Sequence, residues 1–334
     1  MRTKIWNQKH FVIPLTLSAF LITLSYLKSS SDEAFATRTL QFSYAFTVAN
    51  IPSDSKQVEI WLPVPRSDLH QSITNLKITS DYPYAFLEDP KYHNAILKIA
   101  AKEKIPARLP VSMQFTVTRS SYRLLEKRNL FPNDADKLTV EQFLLPDRLI
   151  PIDKKITKEA SAVVGEEMSK FEKARALYDH VVSTMVYDKS GTGWGLGNAL
   201  YACDARRGNC TDFHSLFIGL ARASGIPARF VIGFPIPAGI AKGQIPGYHC
   251  WAEFYLNDRG WVPIDASEAF KHPEKRDLFF GGLDENRVQF TVGRDIPLAA
   301  DENIEPLNYF IYPYVRIDGK IYSDVEYHFS FSDL

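Results

Sequence analysis

Two hydrophobic periods divide the chain. Between residues 37 and about 125 apolar and polar positions alternate, the period of a strand with one buried face. In "LQFSYAFTV", Leu40, Phe42, Tyr44, Phe46 and Val48 fall on one face. "VEIWLPV" repeats this with Val58, Ile60, Leu62 and Val64, and "VSMQFTVT" with Val111, Met113, Phe115 and Val117. Turn-forming stretches such as "NIPSD" and "DYP" separate these runs. The pattern predicts an antiparallel β-sandwich over residues 37–125. Residues 126–155 are charged, contain prolines and lose the alternation, which marks a linker that packs across a domain junction.

From about residue 156 apolar positions recur every three or four residues. Ala160, Val163, Val164, Met168, Phe171, Ala174, Leu177, Tyr178 and Val181 predict a helical stretch. A Gly-rich loop, "DKSGTGWGLGN", and a short helix around "ALYAC" follow. After Cys210, residues Phe213, Leu216, Phe217, Leu220 and Ala221 mark a further helix, which Gly225, Ile226 and Pro227 end. "ARFVIGF" then reads as a buried strand. "HCWAEFYL" and "GWVPID" form a hairpin around Asn257 to Gly260, and a last hairpin turns around Asp318 and Gly319. Strands first and helices with antiparallel strands later predict an α+β protein.

The first 36 residues have a different character. Arg2, Lys4 and Lys9 precede a 17-residue apolar run, and "AFA" at 34–36 offers a small-x-small cleavage site. A signal peptide cut after about Ala36, or a retained N-terminal membrane anchor, is expected. Either places the remainder outside the cytoplasm, in the periplasm or at the cell surface. Basic and acidic residues balance at 39 each, which argues against nucleic acid as a partner. An aromatic content of 13% suits β-rich packing.

In an exported chain, three cysteines suggest one disulfide and one free thiol. Cys210 opens a helix, where unpaired N–H groups and the positive end of the dipole favour a thiolate. Its own N–H lies where an oxyanion would form. His249 begins a strand on which Trp251, Glu253 and Tyr255 share its face, while Cys250, Ala252 and Phe254 take the other. Asp265 ends the neighbouring strand of the hairpin. Cysteine, base and orienting carboxylate together predict a Cys210–His249–Asp265 triad. His214, four residues after Cys210, reads as a packing or supporting residue.

The runs "GNCTDFHSLFIGLARASGIPAR" and "HCWAEFYLNDRGWVPIDAS" resemble the nucleophile, His-x-Trp-x-Glu and Gly-Trp-x-x-x-Asp motifs of the transglutaminase-like superfamily. The resemblance covers roughly residues 155–267. It implies a papain-like core within residues 156–334 and acyl transfer from an amide through a thioester on Cys210. Asp212 and Glu253 match the flanks of those motifs, and Trp251 is expected to pack over the triad. Papain-like enzymes place a glutamine oxyanion donor six residues before the nucleophile, and here that residue is Asp204. As in animal transglutaminases, a tryptophan could donate instead, which makes Trp194 the candidate. No cofactor is implied.

Cys203 and Cys250 are expected to pair as a disulfide and leave Cys210 free. A zinc site from Cys203, Cys210, His214 and Cys250 fits no usual ligand spacing. The expected function is an exported cysteine-dependent acyl-transfer enzyme, a protease, amidase or transglutaminase. Its substrate would be a peptide or protein amide, cell-wall peptide included. The rival is a silent binding or scaffolding protein that keeps the fold; an intact triad favours the enzyme.

Overall fold

The computed structural model describes residues 36–123, 140–298 and 304–334. The expected signal or anchor, and residues 126–139 of the expected linker, lie outside the described residues. Among the described residues, no helix is long and apolar enough to cross a membrane.

Six strands open the described chain: β1 (Thr37–Val48), β2 (Val58–Val64), β3 (Gln71–Thr79), β4 (Tyr84–Glu88), β5 (Ala95–Ala101) and β6 (Leu109–Ser120). Helices α1 (Lys154–Val163), α2 (Lys170–Thr184), α3 (Ala199–Ala205) and α4 (Cys210–Ala223) follow. Then come β7 (Ala228–Pro235), β8 (Lys242–Gln244), β9 (His249–Leu256), β10 (Gly260–Ile264), α5 (Ala266–Lys271) and β11 (Arg287–Val292). The last strands are β12 (Tyr314–Ile317), β13 (Lys320–Tyr322) and β14 (Val325–Asp333).

Two five-stranded sheets make the sandwich, ordered β8-β14-β1-β6-β3 and β13-β12-β2-β5-β4. The alternating faces read from the sequence are the buried ones: Leu40, Phe42, Tyr44, Phe46 and Val48 are all 2% exposed or less. Phe42 faces Phe115 in register on β6 and Phe331 on β14, with the Phe42 and Phe115 rings stacked at 5.2 Å.

The C-terminal strands correct the expected domain boundaries. Residues 314–333, assigned with the catalytic region, instead complete both sandwich sheets: β14 pairs along β1, and β12 along β2. The sandwich needs them because β1 and β2 would otherwise expose whole rows of backbone donors and acceptors. The Asp318–Gly319 turn has positive φ at both residues, the hairpin geometry that only Gly and a few polar residues adopt readily.

A four-stranded antiparallel sheet, β10-β9-β7-β11, forms the second layer system. Its inner strands are buried except at Arg229, Pro235 and Tyr255, with α4 packed on one side, where Phe217 meets Phe254. The sandwich reaches this sheet through an aromatic cluster in which Phe42 and Tyr44 meet Phe234 and Phe290. Phe143, from the described end of the linker, stacks on Tyr92 of the sandwich and packs edge-on against Trp261 of β10.

The long helical stretch divides into two. Val163 ends α1, and Ser169 starts α2 with a capping box to Glu172. Gly165 sits in the break, and Met168, expected in the core, is exposed. The motif helix α4 exceeds its pattern in the other direction. Its polar positions Thr211, Asp212, His214 and Ser215 are as buried as its apolar face, because α1, α3 and the Gly-rich loop cover it.

Candidate active site

Cys210 is the first residue of α4, capped by Asn209, whose side chain accepts the Thr211 N–H at 2.9 Å. The Cys210 N–H therefore lies at a position with no intrahelical acceptor. Asp212 completes the capping box through the Asn209 N–H at 2.9 Å. Its carboxylate also accepts from Gly195 at 2.7 Å and Gly197 at 3.1 Å, fastening the Gly-rich loop to the helix start. A Cβ at Gly208 would overlap this carboxylate, so the chain passes there only as glycine.

The β9–β10 register sets Ala252 opposite Ile264 and brings Asp265 to the His249 end of the hairpin. His249 Nε2 donates to Asp265 Oδ2 at 2.7 Å, leaving Nδ1 for the hydrogen bond with Cys210. Cys210, His249 and Asp265 are 3%, 7% and 0% exposed, so their charges meet with little water between them.

The electrostatics separate the three groups. A hydrogen bond from Cys250 lowers the Cys210 thiol most; burial opposes this, but the bond to His249 and its charge leave the thiol well below its ordinary value. Burial pulls His249 down, yet the Asp265 charge and the bond to Cys210 outweigh it and raise the imidazole to about 10. Burial would raise Asp265, but His249, His214 and Arg287 hold it well below the carboxylate range. These shifts favour thiolate on Cys210 and imidazolium on His249, the reactive form that a cysteine nucleophile needs.

Three supporting contacts escaped the sequence reading. Arg287 on β11 donates to Asp265 Oδ2 at 3.1 Å, places its guanidinium over the Trp251 ring at 5.2 Å and also pairs with Asp284. Ser267 donates to Asp265 Oδ1 at 3.1 Å. The Tyr248 hydroxyl lies 3.0 Å from Thr211 Oγ1 and accepts from Asn209 Nδ2 at 3.2 Å. Arg287 carries no local signal, because only the sheet brings β11 to the triad. Tyr248 was legible in part: strand alternation sets it on the Cys250 face, which points at α4. The segment "FFGGLDENRVQFTVGRD" supplies β11, the edge strand of the four-stranded sheet.

Other expectations are corrected. Cys203 and Cys250 do not pair: all three cysteines are free. Cys203 donates to Glu159 at 2.7 Å, whereas Cys250 Sγ lies 3.8 Å from Thr211 Oγ1 and 3.6 Å from His214 Nδ1. Cys250 faces α4 on the same side as the nucleophile, while Cys203 turns toward α1, so neither a disulfide nor a shared metal site forms. The Trp194 indole donates to the Gly191 carbonyl at 3.2 Å rather than toward Cys210, because the loop turns back on itself there. Asp204, at the papain glutamine position, is exposed and paired with Lys155 at 2.6 Å. Trp251 is fully buried beside Tyr122, Val231 and Leu283, and reaches the triad only through Arg287. His214 Nε2 accepts the Ala266 N–H at 3.1 Å, which puts its proton on Nδ1 and makes it a supporting residue.

Residues 157–266 match the family model described as the transglutaminase-like superfamily. A Haemophilus influenzae protein is 26% identical over 307 residues, covering 80% of this chain and 83% of the relative. A protein-glutamine gamma-glutamyltransferase of Pseudomonas aeruginosa is 29% identical over 119 residues, 34% of this chain and 16% of that one. A crystal structure of a candidate cysteine protease from Cytophaga hutchinsonii shares the fold with a TM-score of 0.55 and 18% identity. That match covers 90% of this chain and 98% of the other. Cys210, His249 and Asp265 come together inside the matched segment, so residues 157–266 are the part of this chain that is similar to the transglutaminase-like superfamily.

Proposed function

We propose that this protein is an exported cysteine-dependent acyl-transfer enzyme that acts on amide bonds of peptides or proteins. The observation that carries the reading is the buried ion pair at the start of α4, Cys210 with His249, oriented by Asp265 at 2.7 Å. A structural cysteine needs no base and no helix N-terminus.

The Cys210 thiolate attacks the amide carbon, and the carbonyl electron pair moves onto oxygen, where the Cys210 N–H receives it. His249 gives its proton to the departing amine as the C–N bond breaks, leaving a thioester. Water or a second amine then attacks; His249 takes the proton back and the thiolate leaves. Asp265 stays ionised throughout and holds the imidazole in its tautomer. The basic n-region and apolar run at the N-terminus support export. The γ-glutamyltransferase name of the Pseudomonas aeruginosa relative supports an amide substrate.

Acid-quenching the protein during reaction with a peptide mixture, then mapping peptides by mass, tests this reading. An acyl mass on the Cys210 peptide, released by hydroxylamine, is expected. Acyl mass only elsewhere, or none, refutes the proposal.

A further inference from the structure

We propose that the Tyr248 hydroxyl is the second oxyanion donor for acyl transfer at Cys210. The inference rests on the acyl-transfer reading and names a group that reading lacks. One donor, the Cys210 N–H, is set by the helix start, but a tetrahedral oxyanion takes a second. The one donor expected from the sequence, Trp194, is spent on the Gly191 carbonyl, and Asp204, where papain-like enzymes place theirs, is a carboxylate in a surface ion pair.

Tyr248 touches both chain neighbours of the nucleophile, Asn209 at 3.2 Å and Thr211 at 3.0 Å. Its hydroxyl therefore lies at the face of the helix start that Cys210 occupies. Asn209 Oδ1 is committed to the Thr211 N–H, which fixes the amide and makes Nδ2 a donor to the phenol oxygen. The Cys250 thiol donates to Cys210, so Thr211 Oγ1 and the Tyr248 hydroxyl share one hydrogen bond at 3.0 Å in which either can donate. When Thr211 donates, the Tyr248 O–H is released to turn toward an oxyanion at Cys210.

Burial, together with the Cys210 charge, raises Tyr248 far above an ordinary phenol, so it stays protonated beside the thiolate. The neighbouring Tyr309 ring packs against it, tilted, at 5.6 Å, and the Tyr309 hydroxyl donates to the Gly195 carbonyl at 3.4 Å. During acylation, the Cys210 S–C bond forms and the carbonyl π pair moves to oxygen. That oxygen receives hydrogen bonds from the Cys210 N–H and the Tyr248 O–H without a proton transfer. It then collapses with expulsion of the leaving group.

Two reactions of Cys210 separate this role from a structural one. Acylation by p-nitrophenyl acetate passes through an oxyanion. Alkylation by iodoacetamide displaces iodide and does not. In the full chain, Tyr248→Phe is expected to slow the nitrophenolate burst about 100-fold or more. Alkylation of the Cys210 peptide should stay within about threefold of wild type, which also reports a folded site. Tyr309→Phe should leave both rates within about threefold. An unchanged burst in Tyr248→Phe, a parallel fall of both reactions, or a burst lost in Tyr309→Phe instead overturns the assignment. A wild-type burst that survives Cys210→Ala sinks the acyl-transfer reading instead, so the two failures are distinguishable.

Discussion

Cys203 and Cys210 stand on either side of one turn, and their surroundings push their thiols in opposite directions. Cys203, near the end of α3, donates to the Glu159 carboxylate at 2.7 Å. Burial and that carboxylate push its thiol up to about 12. Glu159 is itself held ionised by His180 and Arg206, which against burial bring it to about 2. Cys210, at the start of α4, faces imidazolium, an opposing thiol and unpaired N–H groups, and its thiol falls. Burial raises both thiols, so the difference comes from their partners: Cys203 donates to a carboxylate, whereas Cys210 receives hydrogen bonds from Cys250 and His249.

The comparison breaks most completely at the nucleophile. Cys210→Ala should lower acyl transfer about 10⁶-fold, to near background. Nitrophenolate release measures this, and a fall of less than tenfold would move the chemistry elsewhere. Asp265→Asn should cost about 10³–10⁴-fold by the same assay. It also removes the charge that raises His249, so the alkaline limb of the rate profile should move down from about 10 toward the ordinary histidine value of 6.5. An alkaline limb that stays in place would detach Asp265 from His249.

The sandwich supports the site from outside, by packing and by hydrogen bonds of Gln71 and Asn94 with β11. Phe42→Ala should destabilise the fold by about 3–5 kcal/mol, measured by denaturant unfolding. Alkylation of Cys210 in the folded fraction should not change. The smallest effect sharpens the contrast between the cysteines. Glu159→Gln removes the acceptor charge beside Cys203 and should raise its labelling about tenfold at neutral pH. Labelling of Cys210 should be unmoved.

Much of this contrast was legible because it is local. A capped helix start at Cys210, and a hairpin short enough to carry Asp265 back to His249, are written within a few residues of each group. The buried faces of β1, β2 and β6 follow from alternation for the same reason. What alternation cannot show is the partner across the fold. Residues 314–333 read as a hairpin and a strand, but nothing local says that they complete sheets begun at residue 37. Arg287 reads as an ordinary strand residue until β11 pairs with β7. The expected Cys203–Cys250 bridge fails on the same ground. The sequence brings both to the junction of helix and sheet, yet their side chains point at different helices. The helical stretch expected from about 156 is two helices, because its spacing survives across Gly165 while the Ser169 capping box starts a new helix.

The rate of Cys210 alkylation by iodoacetamide as a function of pH, read on the Cys210 peptide by mass, tests the central claim most directly. A thiolate–imidazolium pair predicts a reactive Cys210 well below pH 7, a plateau, and a second change near 10 as His249 loses its proton. A single rise centred near ~8.5, the value of a free cysteine, would contradict the account.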